Sequence, residues 1–299
     1  MWASRVLVLA GLGAVVAGTA LPLRAQLPLA TPRASGQSVT PAFEGWYPNP
    51  DGTFSLSFGY LNRNAQEVVD IPIGPDNAIT PGPVNQGQPT EFQPRRHWGV
   101  FAVKVPADFG KAEVVWTLRF RGATYAIPGT LHPHWQIDAL QGEAGSGNTP
   151  PVLKFAESGP EAKGPLGHTA GPLSASVAQP LALSVWAGDD GRSPTSAAAA
   201  ARGAAGRAAG AGRAAGAGRG AGPSVSVAFF KHQGPGTVTF TPPTARGPAA
   251  GSELKTSVAF SSPGEYILRV RANDASGVAG AGHAQCCWTN GFVKISVTR

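Results

Sequence analysis

Apolar and polar residues alternate with a period of two along much of this chain of 299 residues. In residues 54–60, aromatic and aliphatic side chains alternate with Ser and Gly. Such alternation is typical of β-strands with one buried face. Turn sequences, such as NPDG at 49–52 and GPDN at 74–77, separate these segments, and no helical periodicity of useful length appears. Residues 41–140 are therefore predicted to form an antiparallel β-sandwich domain.

A second group of six alternating segments follows, beginning with PLALSVWA and ending with FVKISVT. In the fifth segment, EYILRVRAND, the apolar Tyr266, Leu268 and Val270 are predicted to point inward. Ile267, Arg269 and Arg271 alternate with them and are predicted to point outward. Six such segments at this spacing predict a second all-β domain.

The domain layout follows from where the alternation stops. Residues 141–171 are rich in Gly and Pro, which predicts a linker. The chain is therefore predicted to be all-β, with two antiparallel, immunoglobulin-like β-sandwich domains at 41–140 and 172–299. An Ala/Gly/Arg tract at 196–222 has no apolar face to bury, and each Gly costs a helix about 1 kcal/mol relative to Ala. It predicts a disordered insertion at 192–223, with a helix as the alternative.

The stretch VAFSSPGEYILRVRANDASG at 258–277 resembles the signature of PKD-type and related immunoglobulin-like domains. In that signature an aromatic strand end, Pro-Gly, Tyr and an alternating strand lead to Asp. The resemblance covers residues 175–299, and it implies a spacer or binding module of an exported protein. The stretch EGWYPNPDGTFSLSFGYLNRN at 44–64 also resembles uncharacterised secreted bacterial proteins.

The N-terminus has the layout of a secretory signal peptide at 1–25. Arg5 precedes an uncharged run from Val6 to Ala20, and a cleavage site is predicted after Ala25. An uncleaved N-terminal anchor is the alternative. No later segment approaches the roughly 20 apolar residues that a membrane span needs. The mature chain is therefore predicted to be secreted or periplasmic, without a transmembrane span, in a compartment where disulfides form.

The net charge of +7 needs correction before it is interpreted. Subtracting the two arginines of the predicted signal peptide and the four of the Ala/Gly/Arg tract leaves a charge of +1 for the rest of the chain. A nearly neutral folded part predicts no nucleic-acid binding. Contact of the basic tract with anionic envelope polymers is an alternative function for that tract.

Motifs of enzyme chemistry are missing: the sequence has no G-x-S-x-G, no H-E-x-x-H and no dinucleotide fingerprint. The chain is therefore predicted to be a non-enzymatic binding or structural module of the cell envelope or exterior, with an unknown ligand. A metal-dependent or redox protein is the alternative.

His132, His134 and His97 are candidate metal ligands. The competing interpretation is that they are exposed imidazoles at a strand end.

Acidic residues follow two segments of the second domain, in WAGDDG and ANDASG. In an immunoglobulin-like topology the two loops share one end of the sandwich. Asp189, Asp190 and Asp274 are therefore predicted to converge there as a Ca²⁺ site, together with the amide of Asn273. Ordinary turn-forming residues are the alternative.

The two cysteines of the chain, Cys286 and Cys287, are adjacent and fall at the same predicted end. They predict a vicinal disulfide, although a trans peptide holds Cα atoms about 3.8 Å apart, closer than disulfides usually need. Free thiols, an intermolecular bond and capture of a soft metal are the alternatives. The pair is predicted to fix the loop that carries Trp288, which either contacts a ligand or fills the end of the core.

Overall fold

The computed structural model describes residues 33–140, 148–190, 224–274, 279–281 and 284–299. These residues form nineteen β-strands and a 3-10 helix at Pro133–Trp135, and no α-helix appears among them. The strands are, in chain order, β1 (Val39–Pro48), β2 (Phe54–Asn62), β3 (Val69–Asp70), β4 (Asn77–Thr80), β5 (Glu91–Phe92), β6 (Arg95–Val105), β7 (Val114–Phe120), β8 (Ala123–Gly129), β9 (Val152–Lys154), β10 (His168–Ser176), β11 (Leu181–Gly188), β12 (Ser224–Gln233), β13 (Val238–Thr241), β14 (Thr244–Pro248), β15 (Ser252–Phe260), β16 (Gly264–Asn273), β17 (Ala279–Ala281), β18 (Ala284–Cys286) and β19 (Trp288–Thr298). The predicted all-β fold class is confirmed.

The first group of strands, β1 to β8, builds two three-stranded sheets, in the orders β1-β2-β6 and β4-β7-β8, and a short pair, β3-β5. The alternation seen in the sequence places Phe58 of β2, Phe101 of β6 and Trp116 of β7 in one buried cluster. Phe58 and Phe101 stack with ring centroids 5.4 Å apart, and Trp116 meets both rings edge-on. Aromatic packing of this kind holds the two small sheets together.

Two larger sheets form the second group, with the orders β10-β19-β16-β12-β14 and β13-β15-β11-β9. Val185 and Val258 of one sheet share a buried cluster with Leu268 and Ile295 of the other. Two sheets that face each other across one apolar layer form a sandwich-like arrangement. The sheets differ from the antiparallel prediction at one edge, because β10 pairs with β19 in parallel.

The two groups of strands pack against each other within one compact unit, Pro32–Arg299. Phe292 of β19 is buried in the aromatic cluster of the first group. Arg269 of β16 donates a hydrogen bond of 3.2 Å to the carbonyl oxygen of Val100 in β6. Part of the outer face of the five-stranded sheet is therefore covered by the first group.

The range predicted as a linker contains β9 and the beginning of β10. Residues 152–154 pair with β11 as β9, and Leu153 is fully buried in the core between the two large sheets. An apolar run this short shows no alternation, which is why the sequence indicated a linker. The predicted signal peptide and the predicted insertion at 192–223 lie outside the described residues. Within the described ranges, no helix is long and apolar enough to cross a membrane.

Candidate functional site

Two of the three acidic residues predicted to converge meet neighbouring residues of the segment before β9. Asn148 Nδ2 donates a hydrogen bond of 2.8 Å to Asp274 Oδ2. The hydroxyl of the next residue, Thr149, lies 3.4 Å from Asp190 Oδ2. The backbone N–H of Asp189 donates to the carbonyl oxygen of Ala249 at 2.8 Å. Asp190 and Asp274 are thus both tied to residues 148–149, which the sequence analysis did not single out.

Metal binding at this end of the fold stays a prediction. Across the described part of the chain, no three His, Cys, Asp or Glu side chains are grouped as metal ligands. Asp274 is only 5% exposed and its carboxylate accepts from the Asn148 amide, whereas Asp190 is exposed. Ca²⁺ takes six to eight oxygen ligands, more than this pair of carboxylates provides.

Cys286 and Cys287 are joined by a disulfide, and both are fully buried. The peptide between them is cis, with Cα atoms 3.1 Å apart, which differs from the trans peptide assumed from the sequence. Both sulfurs contact the carbonyl oxygen of Asn148, at 3.7 and 3.6 Å. Asn148 therefore touches the disulfide through its backbone and Asp274 through its side chain. The sequence analysis predicted that these groups lie together, but it had no signal for the residue that connects them.

Trp288 follows the disulfide and is 1% exposed. Its Nε1 donates a hydrogen bond of 3.2 Å to the carbonyl oxygen of Gly99 in β6. The indole lies so close to Gly99 that a Cβ atom at that position would collide with the ring. This placement favours the interpretation in which Trp288 fills the interior over the one in which it contacts a ligand.

The candidate histidine ligands lie in different surroundings. His132 and His134 are neighbours at the 3-10 helix, with ring centroids 4.7 Å apart. His97 instead stacks on Tyr60 in the first group of strands, with centroids 5.0 Å apart. Burial and the charge of Arg269 lower the pKa of His97 to about 4, so the ring is neutral at pH 7. These contacts show that His97 packs as an aromatic side chain in the first group of strands.

A polar groove lies on the outer face of the five-stranded sheet, on the strands that the first group leaves open. We call it the arginine groove. It has a volume of about 410 Å³ and is lined by residues of β12, β14 and β16. Its lining residues are Ser226, Val227, Ala228, Thr244, Ala245, Arg246, Arg271 and Asn273. No acidic side chain occurs among these described lining residues.

Strand register explains why the polar side chains of the groove meet. Ser226 of β12 pairs with Arg246 on one side and Asn273 on the other. The next row on the same face pairs Ala228 with Thr244 and Arg271. Directly paired residues on neighbouring strands project on the same face of a sheet. The small side chains of β12 therefore form the floor, and the arginines rise on either side.

The amide of Asn273 holds Arg271 at the groove. Arg271 Nε donates to Asn273 Oδ1 at 3.0 Å. Because a guanidinium can only donate, this bond fixes the amide with its oxygen toward Arg271. Asn273 is 7% exposed, and its Nδ2 has no hydrogen-bond partner within the described structure.

Beside the groove, Arg271 lies close to a second, buried guanidinium, that of Arg269. The Arg271 guanidinium lies over the ring of Phe230, 5.4 Å from its centroid, and the Arg269 guanidinium lies over the same ring at 4.8 Å. Burial lowers the pKa of Arg271. Burial and the charge of Arg271 lower the pKa of Arg269 to about 9, which still leaves it charged at pH 7. Positive charges held near each other in a partly desolvated place favour the arrival of an anion.

The sequence analysis missed this groove. The alternation of residues 264–273 correctly placed Arg271 on the face away from the core of the sandwich. Nothing in the sequence showed that β14, with its residues TARGP, would pair beside β12 and bring Arg246 to the same face. In comparisons with protein-family models and with curated proteins, the chain matches neither.

Proposed function

We propose that this protein is an exported, non-enzymatic binding module that holds an anionic group of an envelope or extracellular ligand in the arginine groove. The observation that carries the proposal is that Arg246 and Arg271 stand on either side of one groove, with no acidic side chain among its described lining residues. The groove residues offer hydrogen-bond donors and carry positive charge. They include no nucleophile with an activating base, which supports binding rather than catalysis.

The chemistry of the donors selects planar or tetrahedral oxyanions. A guanidinium presents N–H groups as a fork that matches the oxygens of a carboxylate or a phosphate. The hydroxyls of Ser226 and Thr244 are able to donate to the remaining oxygens. Charge-assisted hydrogen bonds contribute about 1.5–3 kcal/mol each, so one well-placed arginine changes affinity at least about tenfold.

Export is the part of the proposal that rests on the sequence. The charged start, the uncharged run and the small residues before Gln26 support a secreted or periplasmic location. The resemblance of residues 175–299 to PKD-type domains supports a spacer or binding role in the same compartment. Acidic polysaccharides and phosphate-bearing polymers are the anionic ligands that such a module would meet there.

Calorimetric titration at low salt tests the proposal, with polygalacturonate as the carboxylate polymer and polyphosphate as the phosphate polymer. We expect salt-dependent binding of at least one polymer, and a loss of about tenfold or more in the Arg246→Glu variant. Arg33→Glu is the matched control, because Arg33 is also exposed and the change in net charge is the same.

Two outcomes contradict the proposal. Equal losses in Arg246→Glu and Arg33→Glu would mean that only the net charge attracts the polymers. Binding of duplex DNA as tight as that of either polymer would contradict a ligand class that excludes nucleic acid. The Arg246→Lys variant separates charge from geometry: it keeps the charge but loses the fork, and we expect intermediate affinity.

A further inference from the structure

Trp186 occupies the centre of a second surface, on the opposite sheet of the same sandwich. It lies in β11, where Val185 and Ala187 on either side of it point into the core. Trp186 therefore faces outward, and it is half-buried. In the ladder it is paired with Lys154 of β9 on one side and with Glu253 of β15 on the other. An aromatic ring is thus flanked by a cation and an anion on an open sheet face.

Two cavities adjoin at this ring, and Trp186 lines both of them. We call the pair of cavities the Trp186 cleft. The first has a volume of about 600 Å³, and the second of about 390 Å³. Sites for small molecules commonly have volumes of about 300–1,000 Å³, so each cavity is large enough for a ligand unit. A ligand that crosses the ring would have one unit on each side of it.

The first cavity is lined by hydrogen-bonding side chains of both kinds. Glu157, Glu161 and Glu253 offer acceptor oxygens, and Lys154 offers donors. Hydrogen bonding from Lys255 holds the pKa of Glu253 below its usual range, so this carboxylate is ionised at neutral pH. Glu157 and Glu161 are exposed, which leaves them open to a ligand at low desolvation cost.

The second cavity is more apolar. Phe155, Pro160 and Leu173 line it together with His168. Leu173 is 38% exposed, which is high for a large aliphatic side chain. The cleft as a whole therefore offers an aromatic face at its centre, charged hydrogen-bonding groups at one end and apolar groups at the other.

We propose that the Trp186 cleft binds an oligosaccharide. A sugar ring has an apolar face of C–H groups, which packs on an aromatic ring, and a rim of hydroxyls, each able to donate and accept. Carboxylates accept from such hydroxyls, and the Lys154 ammonium donates to them. A purely apolar ligand would leave the carboxylates desolvated without partners, which is unfavourable. This proposal is independent of the arginine groove, because the two surfaces share no lining residue.

The test is calorimetric titration of the full mature chain with five neutral hexasaccharides: cellohexaose, maltohexaose, mannohexaose, xylohexaose and chitohexaose. We expect at least one of them to bind, and Trp186→Ala to weaken that binding about tenfold or more, as the loss of a central aromatic contact does. Trp186→Phe keeps an aromatic face and should retain most of the affinity. Trp135→Ala is the matched control, because Trp135 is 51% exposed and lies outside the cleft.

Several results would overturn the proposal. One is that none of the five sugars binds. Another is that Trp135→Ala weakens binding as much as Trp186→Ala does. A third is that spermidine or choline binds at Trp186 and displaces the sugar, which would make the cleft a site for organic cations.

If Trp186→Ala fails to fold, the double variant Glu157→Gln/Glu161→Gln replaces it, and we expect this variant to lose affinity for the sugar. Polygalacturonate titrations of the same variants show whether the arginine groove is intact, so failure of one site is distinguished from failure of the other.

Discussion

Lys231 of β12 and Glu91 of β5 form an ion pair in which Nζ lies 3.0 Å from Oε2. The Lys231 side chain is 2% exposed, and Nζ also contacts Asp70 Oδ1 at 2.9 Å and the carbonyl oxygen of Gly236 at 2.6 Å. All three protons of the ammonium group are therefore used. The two carboxylates belong to the first group of strands and the lysine to the second, so these bonds fasten the groups together.

Removal of one partner from this pair should destabilise the protein strongly. Lys231→Met leaves Glu91, whose side chain is 11% exposed, without its counter-charge. An uncompensated buried charge costs about 3–5 kcal/mol. Asp70→Asn is the control: the Asp70 side chain is 56% exposed, so its ion pair contributes no more than about 1 kcal/mol. Urea unfolding followed by circular dichroism measures both, and equal losses would contradict the assignment of Glu91 as the buried partner.

The contact between Gly99 and Trp288 leads to a second prediction. Gly99 has a φ of +43°, and a Cβ added there meets the indole ring. Gly99→Ala should therefore lower the free energy of unfolding by about 2 kcal/mol or more, through overpacking and backbone strain. Gly52→Ala serves as the control, since Gly52 also has a positive φ, +81°, but no atom lies within 4 Å of the added Cβ. Similar losses in the two variants would mean that strain alone, without the indole, is responsible.

The disulfide gives a prediction about reactivity. Both cysteines are fully buried and bonded to each other. The protein denatured in urea without a reductant should take up no iodoacetamide, whereas the same treatment after reduction should add two adducts. Intact-mass spectrometry reads both results. Adducts on the unreduced protein would show free thiols and would contradict the vicinal disulfide.

Alternation in the sequence was a reliable guide where a strand buries one face against its own sandwich. It correctly predicted that Leu268 and Val270 point into the core. It also placed Arg269 on the opposite face, yet Arg269 is only 3% exposed because β6 covers that face. Periodicity describes which side of a sheet a residue occupies. It carries no information on which other strands pack against that side in the folded protein.

The strands that the sequence analysis missed are short, rich in Pro or Gly, or dependent on a distant partner. β10 contains Gly171 and Pro172 and is held by parallel pairing with the last strand of the chain. β14 becomes a strand through its ladder with β12. Both candidate binding surfaces depend on such pairings, because the arginine groove combines side chains from three strands and the Trp186 cleft from five. The individual residues were visible in the sequence, but their grouping depends on sheet order.

His232 and His97 lead to a prediction about pH. His232 is 2% exposed, and its Nε2 lies 2.7 Å from the carbonyl oxygen of Gly87. Burial lowers the pKa of His232 to about 3, and burial together with Arg269 lowers that of His97 to about 4. Below the ordinary histidine pKa of about 6.5, the unfolded chain binds protons on these two residues that the folded chain does not bind. The stability from these groups is therefore complete above about pH 6.5 and is lost as the pH falls toward about 4.

The size and the test of this effect follow from linkage. Each histidine contributes a slope of up to about 1.4 kcal/mol per pH unit within that window. Glu44 opposes them: burial raises its pKa to about 7, so its contribution to stability falls as the pH rises from about 4.5 to about 7.

A comparison of variants separates the contribution of the histidines from that of Glu44. We expect His232→Gln, which is able to keep the bond to Gly87, to unfold with a shallower dependence on pH between 6.5 and 4.5 than the unmodified protein. The control substitution is His134→Gln, which removes an exposed imidazole. Urea midpoints measured at half-unit steps of pH give both slopes, and parallel curves for His232→Gln and the unmodified protein would show that His232 titrates freely in the folded state.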